Sequence, residues 1–207
     1  MVGNFQTSGK AVFRGRVPAR WIVFAVAMLW AGARLATVAA AVEGVIASQS
    51  ELSFQASGMG TEVEGGFSRF DGKIDLQTDN PQESSVSFSV EIASLTFPAD
   101  DIRKELLKPD WLDATRYPKA EFASTRVKKI DAGRFEVAGT LTIKGHAHEV
   151  TFPVTLGRSG NATVASGTLT IRRLDFGVGQ GEWGDTSVVA DEVKIKFRIA
   201  LGAPPAG

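Results

Sequence analysis

The sequence predicts an all-β fold, an eight-stranded antiparallel β-barrel with a short helical insertion around residues 100–116, on three observations. From residue 50 onward, apolar and polar residues alternate in eight runs, the period of a strand with one buried face. Turn residues separate the runs, as in Asp131-Ala132-Gly133, Lys144-Gly145-His146 and Ser159-Gly160-Asn161. The chain has no cysteine, so it has no disulfide or thiolate metal site to hold it and relies on its own core. Eight strands close into a barrel that leaves no edge and has room for side chains or one small ligand. A two-sheet sandwich fits the same runs less economically.

Residues 1–41 stand apart from this pattern. They hold Lys10, Arg14, Arg16, Arg20 and Arg34 and no acidic residue, and the uncharged run from Trp21 to Ala33 leads into ATVAAA. A basic start, an apolar centre and a small-residue end predict a secretory signal peptide, cut after Ala39, Ala40 or Ala41. The alternative is an uncleaved anchor, which needs roughly 20 apolar residues, and Arg34 interrupts the run before that length. No Arg-Arg pair precedes the run, which favours a general secretory route over a twin-arginine one. The expected mature chain, 42–207, is one domain in the periplasm or outside the cell, with residues 202–207 a disordered tail. It carries 18 basic against 23 acidic residues, a balance that disfavours nucleic acid as a partner.

The strands follow in order. ELSFQAS places Leu52, Phe54 and Ala56 on one face. The run from Val63 to Thr78 carries Phe67, Phe70, Ile74 and Leu76, with its parity broken near Gly72, which predicts a bend or bulge there. SVSFSVEIASL alternates most cleanly, with Val86, Phe88, Val90 and Ile92 on the buried face. AEFASTRVKKI supplies Phe122, RFEVAGTLTIKG supplies Phe135, and HEVTFPVTLG carries Val150, Phe152, Val154 and Leu156. TVASGTLTIRR and DEVKIKFRIAL complete the set, the last with Val193, Ile195, Phe197, Ile199 and Leu201 inward.

Between the third and fourth runs lies LLKPDWLDATRYPKAEF, the least regular stretch of the chain. Asp100 and Asp101 suit a helix start, and Ile102, Leu106 and Leu107 form an apolar stripe behind them. Pro109 ends that helix and opens a second short turn carrying Trp111 and Leu112, and Pro118 releases the chain into the next strand. The segment is expected to fold back over the lumen as a cover, with Trp111, Leu112 and Leu106 reaching inward. Arg103, Lys104, Lys108 and Arg116 make it locally basic, which suits a phosphate or carbonyl head group, although solvated surface charge is the plainer reading.

Several stretches also resemble a known family. GGFSRFDGKIDL, RKELLKPDWLDATRYPKAEFAST and GTLTIKGHAHEVTFPVTL, in this order across residues 50–201, are similar to the YceI-like family of secreted polyisoprenoid-binding proteins. LDFGVGQGEWGDTSVVADEV, residues 174–193, resembles the branch often encoded with a membrane cytochrome b. The resemblance implies a lipocalin-like eight-stranded barrel whose apolar lumen holds an isoprenoid lipid of quinone or polyprenyl type. It implies no enzymatic activity and no cofactor. The lumen and cover positions nominated for ligand contact are Phe54, Phe67, Phe70, Phe88, Val90, Ile92, Leu106, Trp111, Leu112, Phe122, Phe135 and Phe152.

Chemistry-bearing motifs are sparse. His146 and His148 are the only histidines, and with Glu149 of opposite parity they lack a third metal ligand, so no metal is expected and a turn-side hydrogen bond is the plainer role for His148. No nucleophile elbow, Ser-His-Asp order or carboxylate pair is found. GVGQGEWG lies between strands and opens no helix, so it reads as a mobile rim loop with Trp183 over the mouth, not as a phosphate loop. The leading expectation is therefore a non-enzymatic carrier. Two alternatives stand beside it, a structural or stress-response partner of a membrane complex, and an enzyme acting on a small apolar substrate.

Overall fold

The computed structural model describes residues 42–77, 80–160 and 162–202, so the signal-peptide reading for 1–41 lies outside the described residues. Eleven strands form one antiparallel sheet. They are β1 (Val42–Val45), β2 (Glu51–Gly58), β3 (Thr61–Phe67), β4 (Phe70–Asp75), β5 (Ser85–Glu91), β6 (Leu95–Thr96), β7 (Lys119–Asp131), β8 (Arg134–Ile143), β9 (His146–Ser159), β10 (Ala162–Arg172) and β11 (Val189–Gly202). Among the described residues one α-helix, α1 (Asp100–Leu106), stands between β6 and β7.

These eleven strands make eight staves. β1 and β2 form one stave interrupted by a 3-10 turn at Ala47–Gln49, β3 and β4 a second bent at Ser68-Arg69, and β5 and β6 a third broken by a 3-10 turn at Ile92–Ser94. The ring closes because β11 pairs with β1 at Val45↔Leu201 and with β2 at Phe54↔Ile195. The fold is thus the closed eight-stranded barrel that the alternation predicts. β1 went unread in the sequence because its four residues, VEGV, are too few to show a period. Gly202, expected in a disordered tail, pairs instead with Gly44, and the rest of that expectation, 203–207, lies outside the described residues.

Parity within the staves follows side-chain size and bulges. The break expected near Gly72 lies instead between Phe67 and Phe70, where the stave bends. Gly72 continues the inward parity of Phe70 and Ile74 and stands opposite Phe88, where a Cβ would come within 2.7 Å of the Phe88 ring. Glycine is required there so that the ring can lie across the neighbouring strand. In β7 a bulge between Ser124 and Arg126 shifts the inward set from Phe122 to Val127, which is fully buried.

One end of the barrel, the base, is where β1 meets the C-terminal end of β11. It packs Ile74, Ala165, Ile199 and Leu201 with Val86, Phe88 and Leu156, and beside them Val127, Phe135 and Val137. The opposite end collects α1 and the cover segment, the β2-β3 hairpin tip and the loop from Arg173 to Val188. Phe122, Phe152 and Phe197 connect the two ends as edge-to-face neighbours, at 5.3 and 5.7 Å between ring centroids.

Candidate functional site

The barrel encloses a cavity of about 610 Å³. It is lined from the base (Ile74, Ile199, Leu201) to the opposite end (Trp111, Trp183, Val189) almost wholly by apolar side chains. Its size lies in the roughly 300–1,000 Å³ range of small-molecule sites. Among the described residues lining it, only Glu105 and Arg173 carry charge, and both stand at the capped end.

Of the positions nominated from sequence, Phe54, Phe67, Phe88, Val90, Ile92, Leu106, Trp111, Leu112, Phe122, Phe135 and Phe152 all line this cavity. Phe70 does not. Its ring stacks at 5.6 Å on that of Phe88, which does line the cavity. The remaining lining residues, among them Leu141, Ile143, Leu169, Ile171, Val193 and Phe197, were missed although their alternation was read. The inward parity of a strand names every second residue, not its aromatic members alone.

The cap has two pieces. The first is the cover segment. α1 ends at Leu106, and beyond it Trp111 N–H donates to the Lys108 carbonyl, Leu112 N–H to Leu106 and Tyr117 N–H to Asp113, so the segment stays turned through both prolines. Of its four basic side chains, Arg103 pairs with Asp100 and Lys108 with Glu105, while Arg116 stands over the Tyr117 ring. A basic rim for an anionic head group is not what the paired side chains present.

The second piece is the loop from Arg173 to Val188. Arg173 is only 2% exposed, and all five of its guanidinium N–H groups are used on backbone carbonyls. Nε donates to Ala190, Nη1 to Val178 and Gly179, and Nη2 to Trp183 and Val189, at 2.7–3.0 Å. Burial pulls its pKa below the ordinary guanidinium value and the Asp191 charge pulls it back. Lys144 Nζ donates to the Gly177 carbonyl at 2.7 Å; burial lowers its pKa, opposed by the carboxylates of Asp113 and Asp110. The stretch expected to be a mobile rim loop is therefore anchored by two buried cations. Arg173 continues the inward parity of Leu169 and Ile171, a signal the sequence carried and the reading did not use.

The two pieces are tied to each other. Gly179 and Gln180 N–H both donate to the Asp110 carbonyl at 2.8 Å, and Trp111 packs on Trp183 with centroids 5.6 Å apart. His148 Nε2–H donates to the Asp175 carbonyl at 2.9 Å and its ring stands edge-on to Phe176, which is the turn-side role expected of it. Among the described residues, no three His, Asp or Glu side chains gather as metal ligands. At the edge of the cap, Met59 on the β2-β3 turn is 79% exposed and Ile102 on α1 is 47% exposed, and both also line the cavity.

Comparison with known proteins places this geometry among relatives. The YceI-like domain model matches residues 45–201. A UPF0312 protein of Pseudomonas putida (strain W619) is 31% identical over 122 residues, which are 56% of this chain and 64% of that protein. The chain thus spans a little under two thirds of that relative's length. The crystal structure of Burkholderia cenocepacia BcnA superposes with a TM-score of 0.73 at 35% identity, covering 75% of this chain and 98% of that one. A Saccharophagus degradans domain described as polyisoprenoid-binding shares the fold, with a TM-score of 0.64 at 15% identity, over 79% of this chain and 99% of that one.

Proposed function

Because the chain belongs to the YceI-like domain family, we propose that it is a non-enzymatic carrier that holds the tail of one isoprenoid lipid, of quinone or polyprenyl type, in the barrel lumen. The observation that carries this reading is the enclosed apolar cavity running from Leu201 at the base to Trp111 at the cap. Each buried methylene contributes about 0.8 kcal/mol, so several prenyl units bind well with few polar contacts. A domain alike in fold is described as polyisoprenoid-binding, in keeping with the reading. The tail is proposed to enter between Met59 and Ile102 and to point to the base.

Catalysis is not part of the proposal, since the lumen's two charged side chains are already engaged, Arg173 with carbonyls and Glu105 with Lys108. The basic and apolar N-terminal segment fits export, so the carrier is proposed to work in the periplasm or outside the cell. The likeness of residues 174–193 to the branch often encoded with a cytochrome b makes such a membrane protein the proposed recipient or donor of the lipid.

The test is equilibrium binding of geranylgeraniol to delipidated protein, followed by tryptophan fluorescence. Trp111 and Trp183 line the cavity, so the signal is expected to change saturably at one ligand per chain. No saturable change, with the barrel intact by circular dichroism, would contradict the proposal.

A further inference from the structure

Resting on the carrier reading just given, we propose that Gly65, Gly72 and Gly167 set the length of tail that the lumen admits, by giving the rings of Phe54, Phe88 and Phe197 a place against the wall. Each glycine stands directly across from its phenylalanine on the neighbouring strand: Phe54↔Gly65 joins β2 to β3, Phe88↔Gly72 joins β5 to β4, and Phe197↔Gly167 joins β11 to β10. A Cβ built on Gly65 would stand 2.5 Å from Phe54 Cζ, on Gly72 2.7 Å from Phe88 Cδ2, and on Gly167 2.6 Å from Phe197 Cζ. Carbon atoms do not approach that closely, so each ring occupies the space that a Cβ would fill. The three phenylalanines line the cavity and the three glycines do not, because the rings cover them.

The interior of an eight-stranded barrel is just wide enough for its own side chains to fill. Rings laid over glycines leave its centre free. The free space runs along β11 from Val189 at the capped end to Leu201 at the base. At about 3.3 Å per residue and a strand tilt of about 40°, that is roughly 30 Å along the axis. A prenyl unit adds four chain bonds, about 5 Å when extended, so the lumen has the length of about six units. Spread over this length, the cavity of about 610 Å³ has a section of roughly 20 Å², one hydrocarbon chain wide at van der Waals spacing. A lumen one chain wide is blocked by one displaced ring.

Gly65 is the position where that consequence is open to test. Its Cβ would meet only side-chain atoms, Phe54 Cζ and Cε1 and Phe97 Cδ2, whereas at Gly72 and Gly167 the backbone carbonyls of Ser87 and Pro153 are met as well. A methyl at 65 therefore displaces the Phe54 ring and leaves the strands in place. Phe54 pairs with Ile195, midway between Val189 and Leu201, so a ring pushed off the wall there divides the lumen in two. A tail of three units still fits one half. A tail of six does not.

The experiment uses the full chain and two prenyl alcohols, farnesol with three units and hexaprenol with six, each offered in phosphatidylcholine vesicles and quantified on the protein by mass spectrometry after gel filtration. The parent is expected to take up both. Gly65→Ala is expected to lose hexaprenol at least tenfold and to keep farnesol within about twofold. Adding Phe54→Leu to Gly65→Ala removes the displaced ring and is expected to return hexaprenol to within about threefold of the parent. Equal loss of both alcohols, loss of neither, no recovery in the double variant, or a parent that takes farnesol and refuses hexaprenol would overturn the proposal while leaving the carrier reading intact. A parent that takes neither alcohol overturns both. A second measurement needs no variant and stands if Gly65→Ala does not fold: in the parent loaded with hexaprenol, nuclear Overhauser contacts are expected between tail methyl groups and the rings of Phe54, Phe88 and Phe197. A bound tail without contact to the Phe54 ring would overturn the assignment.

Discussion

Arg173 shows how much of the site depends on one side chain. A guanidinium taken out of water without a contacting carboxylate is costly, and it is tolerated because five carbonyls of the loop and of β11 accept its five N–H groups. Arg173→Met leaves those carbonyls without their donor. The expected loss is about 3 kcal/mol or more in urea denaturation, with a shift in Trp183 emission as the loop detaches. Arg173→Lys should rescue little, because an ammonium has three donors and no planar fork. Unchanged stability in either variant would mean that the loop is held by other contacts. The neighbouring Arg172 makes the contrast: its side chain is mostly exposed and it pairs at 2.9 Å with Asp191, whose other oxygen accepts Leu174 N–H.

At the scale of elements, the staves were legible and their interruptions were not. Alternation such as Val86, Phe88, Val90 names a strand and its buried face because the period of two is a property of the chain alone. The break between Phe67 and Phe70 and the bulge before Val127 depend on how neighbouring strands meet, and Gly72 misled because a glycine that admits a ring resembles a glycine that bends a strand. The cover was legible from Pro109, Pro118 and the inward residues between them. What fastens it was not, since Asp110 contributes its backbone carbonyl to Gly179 and Gln180, a role that any residue type could fill. Because cover and loop meet at Trp111 and Trp183, Trp111→Ala should open the cap while the strands stay folded. The expected outcome is faster release of bound isoprenoid in a stopped-flow chase, with an unchanged far-ultraviolet spectrum. Release at the parent rate would make the cover a structural plug.

For the whole molecule, closure into a ring and retention of a lumen come from the same register: β11 joins β1 and β2, and the inward side chains of all eight staves stop short of filling the centre. The closed fold was legible from the number of runs, but the cavity was not, because Phe122 and Phe152 would be inward in a filled barrel as well. Export is a separate claim of the same scale, and N-terminal sequencing of protein recovered outside the cytoplasm is expected to begin after Ala39, Ala40 or Ala41. An intact N-terminus held in the membrane would contradict soluble export. The central claim, that the lumen holds one isoprenoid tail, is tested most directly by native mass spectrometry of the protein purified from its own cells without detergent. The account expects a single adduct per chain whose mass, after release, is that of an isoprenoid lipid. A chain that carries no adduct and takes up none when delipidated protein is offered isoprenoid would contradict it.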